Sequence, residues 1–351
     1  MLLAAAATAM QISAEPLKVA LYAGSGAQGA GEVHWLHLTA RAEDCGTLLV
    51  DSAAIMGGAL DDRDVLIVPG GESRLMAKAL GESGRGKVRD FVFRGGGYIG
   101  ICAGCCLAME SSKFHPDMMN MIPFAFGSAG GKGKARLTVH FNKRAAALCG
   151  IQERDRDVWF SEGPELVPLT SAHGSAMETI ATYGGDAVLD GTGVSPEIRG
   201  GIAVVAGTCG KGRVFASAIH PEHDAANHDI LRGAFRYVTG REVAWTIAPR
   251  GTVRMAVGIM CDDGFSIDTA RFVQQLAKDP EFQIEPIKAS SVAKGALQRL
   301  DAVVTPESDG GLALGWGQVA AAARKAEPRT ERFDNGAAVL ARLKAYAQRA
   351  E

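Results

Sequence analysis

The sequence predicts an α/β protein built on a doubly wound parallel sheet, with an antiparallel extension and a second, shorter α/β segment. Short apolar runs alternate with helical patterns over the first hundred residues, which is typical of βαβ units. The composition agrees, because 44 glycines and 47% hydrophobic residues with few aromatic ones suit buried strands joined by tight turns. Many short β-like runs later in the chain predict the antiparallel part.

The parallel part begins after an N-terminal tail. Apolar runs predict strands, and apolar residues at helical spacing predict the connecting helices. A further string, 83–87, is expected to be a solvated connection between two helices. The predicted strands are 17–22, 47–50, 65–68 and 98–101, and the predicted helices are 32–44, 75–80, 87–94 and 103–109.

The next part of the chain predicts a loop over the site, then antiparallel strands. Residues 113–129 are rich in Met, Phe and Pro and irregular, and 134–205 hold the β-like runs 136–141, 157–160 and 178–183. A strand at 214–219 and a helix at 224–238 close the unit. The expected architecture of residues 17–249 is therefore a flavodoxin-like parallel sheet with an antiparallel extension.

Residues 250–351 look like a second copy of the opening of the chain. The strings 253–259 and 289–308 mirror the first strand and residues 52–73, and 339–348 mirrors the helix before the fourth strand. The chain then stops where that fourth strand would begin. We expect a truncated α/β half-repeat that lacks a nucleophile and contributes no catalytic side chain, with Cys261 structural.

A cysteine stands at a predicted strand-to-helix turn. The string Gly100-Ile101-Cys102-Ala103-Gly104 is typical of a nucleophile elbow with cysteine in place of serine. Glycines two residues before and after relieve the crowding around a strained nucleophile. The N-terminus of the following helix lowers a thiol pKa and directs N–H groups at negative charge. Cys102 is therefore the predicted nucleophile.

A histidine ends another apolar run. In the string His220-Pro221-Glu222, His220 is expected at the C-terminal edge of a strand, where it can act as base to a cysteine. Glu222 follows two residues later and can orient the imidazole ring. The two strings together favour a thiol nucleophile over a buried structural cysteine.

A third string, Pro69-Gly70-Gly71-Glu72-Ser73, follows the strand at 65–68. Gly70 and Gly71 let the backbone approach a ligand closely, and one of their N–H groups could form an oxyanion hole with that of Ala103. A plain β-to-α turn with Ser73 as helix N-cap is compatible with this interpretation.

These three strings resemble the signatures of class I glutamine amidotransferases, and the glutaminase partner of pyridoxal phosphate synthase has a very similar Gly-Gly-Glu-Ser string. The sequence is more similar still, above all over 77–109, to the amidotransferase-like domain found at the N-terminus of some biotin–protein ligases and as free-standing bacterial proteins. The strings at 160–164 and 206–213 fit the same group. The resemblance covers about residues 17–240 and implies Cys102 as nucleophile, His220 as base and Glu222 as orienting acid.

The expected activity is hydrolysis of an amide C–N bond, glutaminase- or amidase-like, through a thioester and without a cofactor. No ligase or synthase domain accompanies the strings, so the substrate is expected only as a small amide or a peptide. A ligand-binding or scaffold protein on the same fold is the main alternative.

Two further alternatives use the same residues. Cys102 and Cys105 form a Cys-x-x-Cys string that could act as a redox pair, with Cys106 expected to point into the core. The residues around His220 could be read as a metal cluster, but their spacing matches no zinc pattern, so no metal is expected.

The remaining bulk properties concern partners and location. A net charge of −2 without a dense basic run argues against nucleic-acid binding. No membrane span is expected beyond the N-terminus. The apolar run 1–14, followed by Glu15-Pro16, resembles a secretory signal without its positive start. We expect export, with a cytoplasmic protein that has an N-terminal tail at 1–16 as the alternative.

Overall fold

A computed structural model describes residues 15–348 except 28, 128–132, 171–174, 185–197, 243–252, 263, 293–294, 307–310 and 317–329. The predicted signal at 1–14 and the predicted boundary between 249 and 250 lie outside the described residues.

The elements are numbered in chain order. The strands are β1 Leu17–Tyr22, β2 Cys45–Val50, β3 Val65–Val68, β4 Gly97–Ile101, β5 Phe124–Phe126, β6 Lys134–Phe141, β7 Arg154–Ser161, β8 Leu166–Pro168, β9 Ala176–Tyr183, β10 Ile202–Cys209, β11 Gly212–Ser217, β12 Met255–Met260, β13 Phe282–Ile287, β14 Ala302–Pro306, β15 Leu312–Trp316 and β16 Thr330–Phe333. The helices are α1 Ala30–Arg41, α2 Ser52–Met56, α3 Ser73–Phe93, α4 Ala103–Ala108, α5 Lys143–Cys149, α6 His228–Thr239, α7 Ile267–Lys278, α8 Ala289–Val292 and α9 Gly336–Ala347.

The main sheet confirms the predicted architecture. Its order is β2-β1-β3-β4-β11-β10-β9-β6-β7, and the strands from β2 to β11 pair in parallel, whereas those from β11 to β7 pair antiparallel. Every residue of β3 and β4 is buried, as expected for central strands that are covered on both faces. The carboxyl ends of β3, β4 and β11 therefore meet at one edge, where the three strings of the sequence lie.

The second sheet repeats only the opening of the first. Its order is β13-β12-β14-β15-β16, and β13, β12 and β14 are parallel, in the arrangement of β2, β1 and β3. After β14 the chain forms the antiparallel strands β15 and β16, where the first unit has a long helix and a fourth parallel strand. Helix α9 thus follows a β-hairpin, so its predicted equivalence to the helix before the elbow is wrong.

The string 83–87 is part of a helix and is not a solvated connection. Helix α3 runs through it, and the break in helical geometry falls at Gly81, whose φ is 61°. Arg85 is buried, its Nη1 donates to the carbonyl of Ala77 at 2.9 Å, and its Nη2 pairs with Asp117 at 3.1 Å. The glycines and charges of this string suggested a surface loop, but a buried guanidinium with partners fixes it against the preceding turn of the helix.

Helix α1 lies between the two sheets. It contacts β2 on one side and α7 and β13 on the other, and its Trp35 and Leu36 are fully buried. Glu32, in the first turn of α1, is also buried, at 1% exposure, and neither carboxylate oxygen has a regular hydrogen-bond partner among the described residues. Burial raises the pKa of the Glu32 carboxyl well above its ordinary value of 4.5, and the backbone of Phe265 opposes this only in part.

The Glu32→Gln variant should therefore be more stable than the wild type at neutral pH, by at least on the order of 1 kcal/mol. Above 4.5 the unfolded chain releases this proton and the folded chain keeps it, so the folded state loses stability as the pH rises towards the raised pKa. Urea unfolding measures the difference, which should vanish below a pH of 4.5. The exposed Glu43→Gln is the matched control; an equal pH response in both variants would contradict a neutral, buried Glu32.

Candidate functional site

The turn at Cys102 has the strained conformation of an elbow. Cys102 has φ 50° and ψ −104°, one of the few non-glycine residues with positive φ in the described chain. A Cβ on Gly104 would lie 2.1 Å from the carbonyl oxygen of Val68, and one on Gly100 would lie 2.6 Å from that of Gly104. Both glycines are required because backbone occupies the space that a side chain would need.

His220 and Glu222 form a buried pair. The N–H of His220 donates to the carbonyl of Trp159 at 2.8 Å, which joins the end of β11 to β7. Nδ1 of His220 lies 2.7 Å from Oε1 of Glu222, and since a carboxylate only accepts, Nδ1 is the donor. Glu222 is 1% exposed. This hydrogen bond fixes the orientation of the ring, with Nε2 on the side of Cys102.

Glu222 and Cys102 both favour the protonated form of His220. Burial lowers its pKa, but the Glu222 carboxylate and the Cys102 sulfur outweigh that effect and raise the pKa of His220 to about 10. Nε2 is buried and makes no regular hydrogen bond among the described residues. At neutral pH the ring is therefore an imidazolium.

The Gly70–Gly71 turn lies against both predicted catalytic side chains. A Cβ on Gly70 would lie 2.8 Å from Cε1 of His220 and 3.6 Å from Cβ of Cys102. The N–H groups of Gly71 and Ala103 donate to no protein acceptor within the described ranges, as an oxyanion hole requires. The structure thus brings together the three strings.

The N-cap of α3 is Glu72, and the expectation of Ser73 there is wrong. The Glu72 carboxylate accepts from the N–H of Arg74 at 3.2 Å, and Ser73 is the first helical residue. Ser73 is nearly buried and lines the cavity beside Cys102.

The N-terminus of α1 covers the His220–Glu222 pair. A Cβ on Gly31 would lie 3.1 Å from Oε1 of Glu222 and 3.5 Å from Nδ1 of His220, so a side chain here would crowd the pair. The positive end of the helix dipole then lies beside the buried carboxylate.

Cys105 points into the core and Cys106 lies beside Cys102, the reverse of the prediction. Cys105 is 0% exposed and belongs to the hydrophobic core, and burial raises the pKa of its thiol strongly. Cys106 lines the cavity with Cys102, although burial raises its thiol pKa as well. Neither has the low pKa of a redox thiol, and the structure therefore gives no support to a Cys102–Cys105 redox pair.

Two further histidines approach the pair. The His34 and His223 rings lie 4.3 Å apart, and Trp159 stacks on His223 at 5.8 Å. Burial lowers the pKa of His34 to about 4 and that of His223 further, so both are neutral. The donor atoms of His220, Glu222 and His223 lie within 4.8 Å of one another. The 2.7 Å hydrogen bond occupies the first two, an arrangement that holds a proton and not a cation.

The cavity above Cys102 has a volume of about 710 Å³, and both sheets line it. Lys134 and Phe126 come from the main sheet. The second unit supplies Asp262, after β12, and Lys288, after β13. Residue-by-residue reasoning missed these two. The second unit therefore lines the cavity, and the expectation that 250–351 contribute no catalytic side chain stays a prediction. The positions of Asp262 and Lys288 after strands are a signal that could have found them, because ligands bind at the carboxyl ends of parallel strands.

The fold and this site define an amidotransferase-like α/β protein. Residues 60–239, just over half of the chain, match the family described as biotin-protein ligase, N terminal, and the chain belongs to that family.

Several solved structures are similar in part. PurLQS from Thermotoga maritima is 17% identical over 63% of this chain and 99% of its own, with a TM-score of 0.45. A putative ThuA-like protein from Parabacteroides merdae is 12% identical over 67% of this chain and 94% of its own, with a TM-score of 0.44. A β-galactosidase from Rahnella sp. R3 is 15% identical over 63% of this chain and 31% of its own, with a TM-score of 0.41. A search of curated protein sequences found no match.

Among the described residues, no helix has the length and apolar character that a bilayer crossing needs.

The Gly70→Ala variant tests the packing of the site. Its Cβ would push His220 away from Cys102, and we expect the rate of Cys102 alkylation by iodoacetamide to fall about tenfold or more. Peptide mapping by mass spectrometry measures the rate. Gly86→Ala, in helix α3, is the matched control, because its Cβ would meet only the end of the Arg89 side chain at an ordinary 3.9 Å. Wild-type reactivity in folded Gly70→Ala would contradict the assigned contact.

Proposed function

We propose that the protein is a cysteine-dependent hydrolase that cleaves the C–N bond of a small amide or peptide through a thioester. The observation that carries this proposal is the strained Cys102 beside an imidazolium whose Nδ1 is fixed 2.7 Å from a buried carboxylate. Such an arrangement stabilises a thiolate and stores the proton that an amide nitrogen needs to leave.

In the first half-reaction, the Cys102 sulfur attacks the carbonyl carbon and the carbonyl oxygen becomes an oxyanion. The N–H groups of Gly71 and Ala103, which have no protein acceptor among the described residues, are the donors to that charge. The C–N bond then breaks, and Nε2 of His220 gives its proton to the leaving amine. Because the pKa of His220 is raised to about 10, the proton is already in place at neutral pH.

In the second half-reaction, His220 becomes the base. Acylation changes the interaction between His220 and the Cys102 sulfur, which is one of the interactions that raise the pKa of His220. The imidazole can then accept a proton from water as that water attacks the thioester carbonyl. Glu222 holds the ring orientation throughout and stabilises the imidazolium that forms again. Release of the acid restores the Cys102 thiolate.

The size and composition of the site limit the substrate. A cavity of about 710 Å³ admits a small amide or a short peptide segment. Trp159 and the neutral His34 and His223 give part of its wall an aromatic, uncharged character.

Substitutions in the triad should reduce amide hydrolysis in a graded way. We expect Cys102→Ala and His220→Ala each to lower the rate by about 10³-fold or more, and Glu222→Gln by less, because it retains the packing around the ring. Ammonia release from glutamine and a panel of small amides is the assay, with circular dichroism as the check on folding.

Cys209→Ala, a buried cysteine remote from the cavity, is the control. Equal turnover by Cys102→Ala and wild type would contradict the proposal. Fast, saturable binding of amides with no turnover in the wild type would favour the ligand-binding alternative.

A further inference from the structure

Two lysines from different sheets meet in the cavity that holds Cys102. Lys134 is the first residue of β6, and Lys288 follows β13 of the second unit. Both line the cavity, and their side chains are close enough to interact directly. Burial and then Lys134 lower the pKa of Lys288, which is half-buried. Two ammonium groups in contact repel each other, so this arrangement is costly without a ligand.

Among the described residues no salt bridge neutralises the pair, although the Asp262 carboxylate attracts Lys288 at longer range. Among the described residues, no Asp or Glu oxygen lies within 4.0 Å of either lysine nitrogen. The acidic residues on the cavity wall are engaged or peripheral: Asp262 accepts from the N–H of Ala289, Glu72 caps α3, and Glu162 is exposed. The cavity wall thus carries charges of both signs, and the two lysines supply its positive part.

A helix N-terminus adds to that charge. A Cβ on Gly29, the N-cap of the twelve-residue helix α1, would lie 3.9 Å from Nζ of Lys288. The unpaired N–H groups of the first turn and the helix dipole favour an anion at this position. Three independent positive groups thus converge on one part of the cavity.

The cluster lines the same cavity as the predicted nucleophile. The Cys102 sulfur lies 3.6 Å from the carbonyl oxygen of Ser161, and Ser161 pairs directly with Lys134 across β7 and β6. Neighbouring strands lie about 5 Å apart, so Lys134 starts one strand away from the residue that the sulfur contacts. This separation suits two groups of one small molecule.

We propose that Lys134 and Lys288 bind an anionic group of the substrate, so that the site selects small amides that carry a negative charge a few bonds from the scissile carbonyl. This inference rests on the proposed function, because it names the substrate class of the same site. The second unit then has a role in specificity, since it supplies one of the two lysines.

The test compares two alkylating reagents of nearly equal size, iodoacetate and iodoacetamide, on the full-length protein. Only iodoacetate is anionic, so the ratio of the two rates at Cys102 reports the local potential and cancels general effects on reactivity. We expect each of Lys134→Met and Lys288→Met to lower this ratio several-fold, and the double variant to lower it about tenfold. High salt should reduce the wild-type preference.

Conservative and remote variants provide the controls. Lys288→Arg should keep the ratio because it keeps the charge, and Lys211→Met, at the exposed turn between β10 and β11, should leave it unchanged. Protection of Cys102 from iodoacetamide by succinate or by inorganic phosphate identifies the anion as a carboxylate or a phosphate. Protection by either anion supports the proposed site if the double variant no longer shows it.

Failure of the two proposals would look different. If Cys102 reacts with both reagents but the ratio is the same in wild type and double variant, the anion site is wrong and the nucleophile stands. If Cys102 reacts with neither reagent in folded protein, the proposed function itself is contradicted.

Discussion

The site depends on the close approach of three backbone segments at the end of the central strands. Glycine at 104 allows the elbow to lie against the Val68 carbonyl, and glycine at 70 allows the His220 ring to lie beside Cys102. Any side chain at these positions would separate the sulfur from the imidazole. The buried strands β3, β4 and β11 supply the rigid frame that holds the strained φ of Cys102 in place.

Helix α1 links this site to the second unit of the molecule. Its N-terminus covers Glu222 through Gly31 and borders Lys288 through Gly29, and its body packs between the two sheets. One helix therefore contacts both the Glu222 carboxylate and the second unit that lines the cavity. The buried Glu32 in the same first turn costs stability at neutral pH, and a cost of this kind is common near functional sites.

Much of the frame could be predicted from the sequence. The bounds of β1 and β3 were correct because apolar residues dominate both runs, with Lys18 the one charged residue in them. The three strings lie together because parallel strands end at a common edge. The places of Cys105 and Cys106 could not be predicted. Consecutive helical residues point about 100° apart, and which one faces a cavity depends on how the helix packs.

The contributions of the second unit were also hidden in the sequence. Contact between Lys134 and Lys288 joins positions far apart in the chain, and hydrophobic periodicity carries no information about how two sheets are placed. The hairpin β15–β16 was missed because the mirrored strings before it suggested a continued repeat. The helical course of 83–87 depends on partners for Arg85 that are eight and thirty-two residues away.

The central claim is that Cys102 forms an acyl-enzyme. The most direct measurement uses p-nitrophenyl acetate, an acyl donor that requires no knowledge of the natural substrate, with stopped-flow detection of p-nitrophenolate and mass spectrometry of the quenched protein. We expect a burst of about one equivalent per chain and a hydroxylamine-sensitive acetyl group on Cys102. The absence of a burst from folded protein, or acetylation of other residues in place of Cys102, would contradict the account.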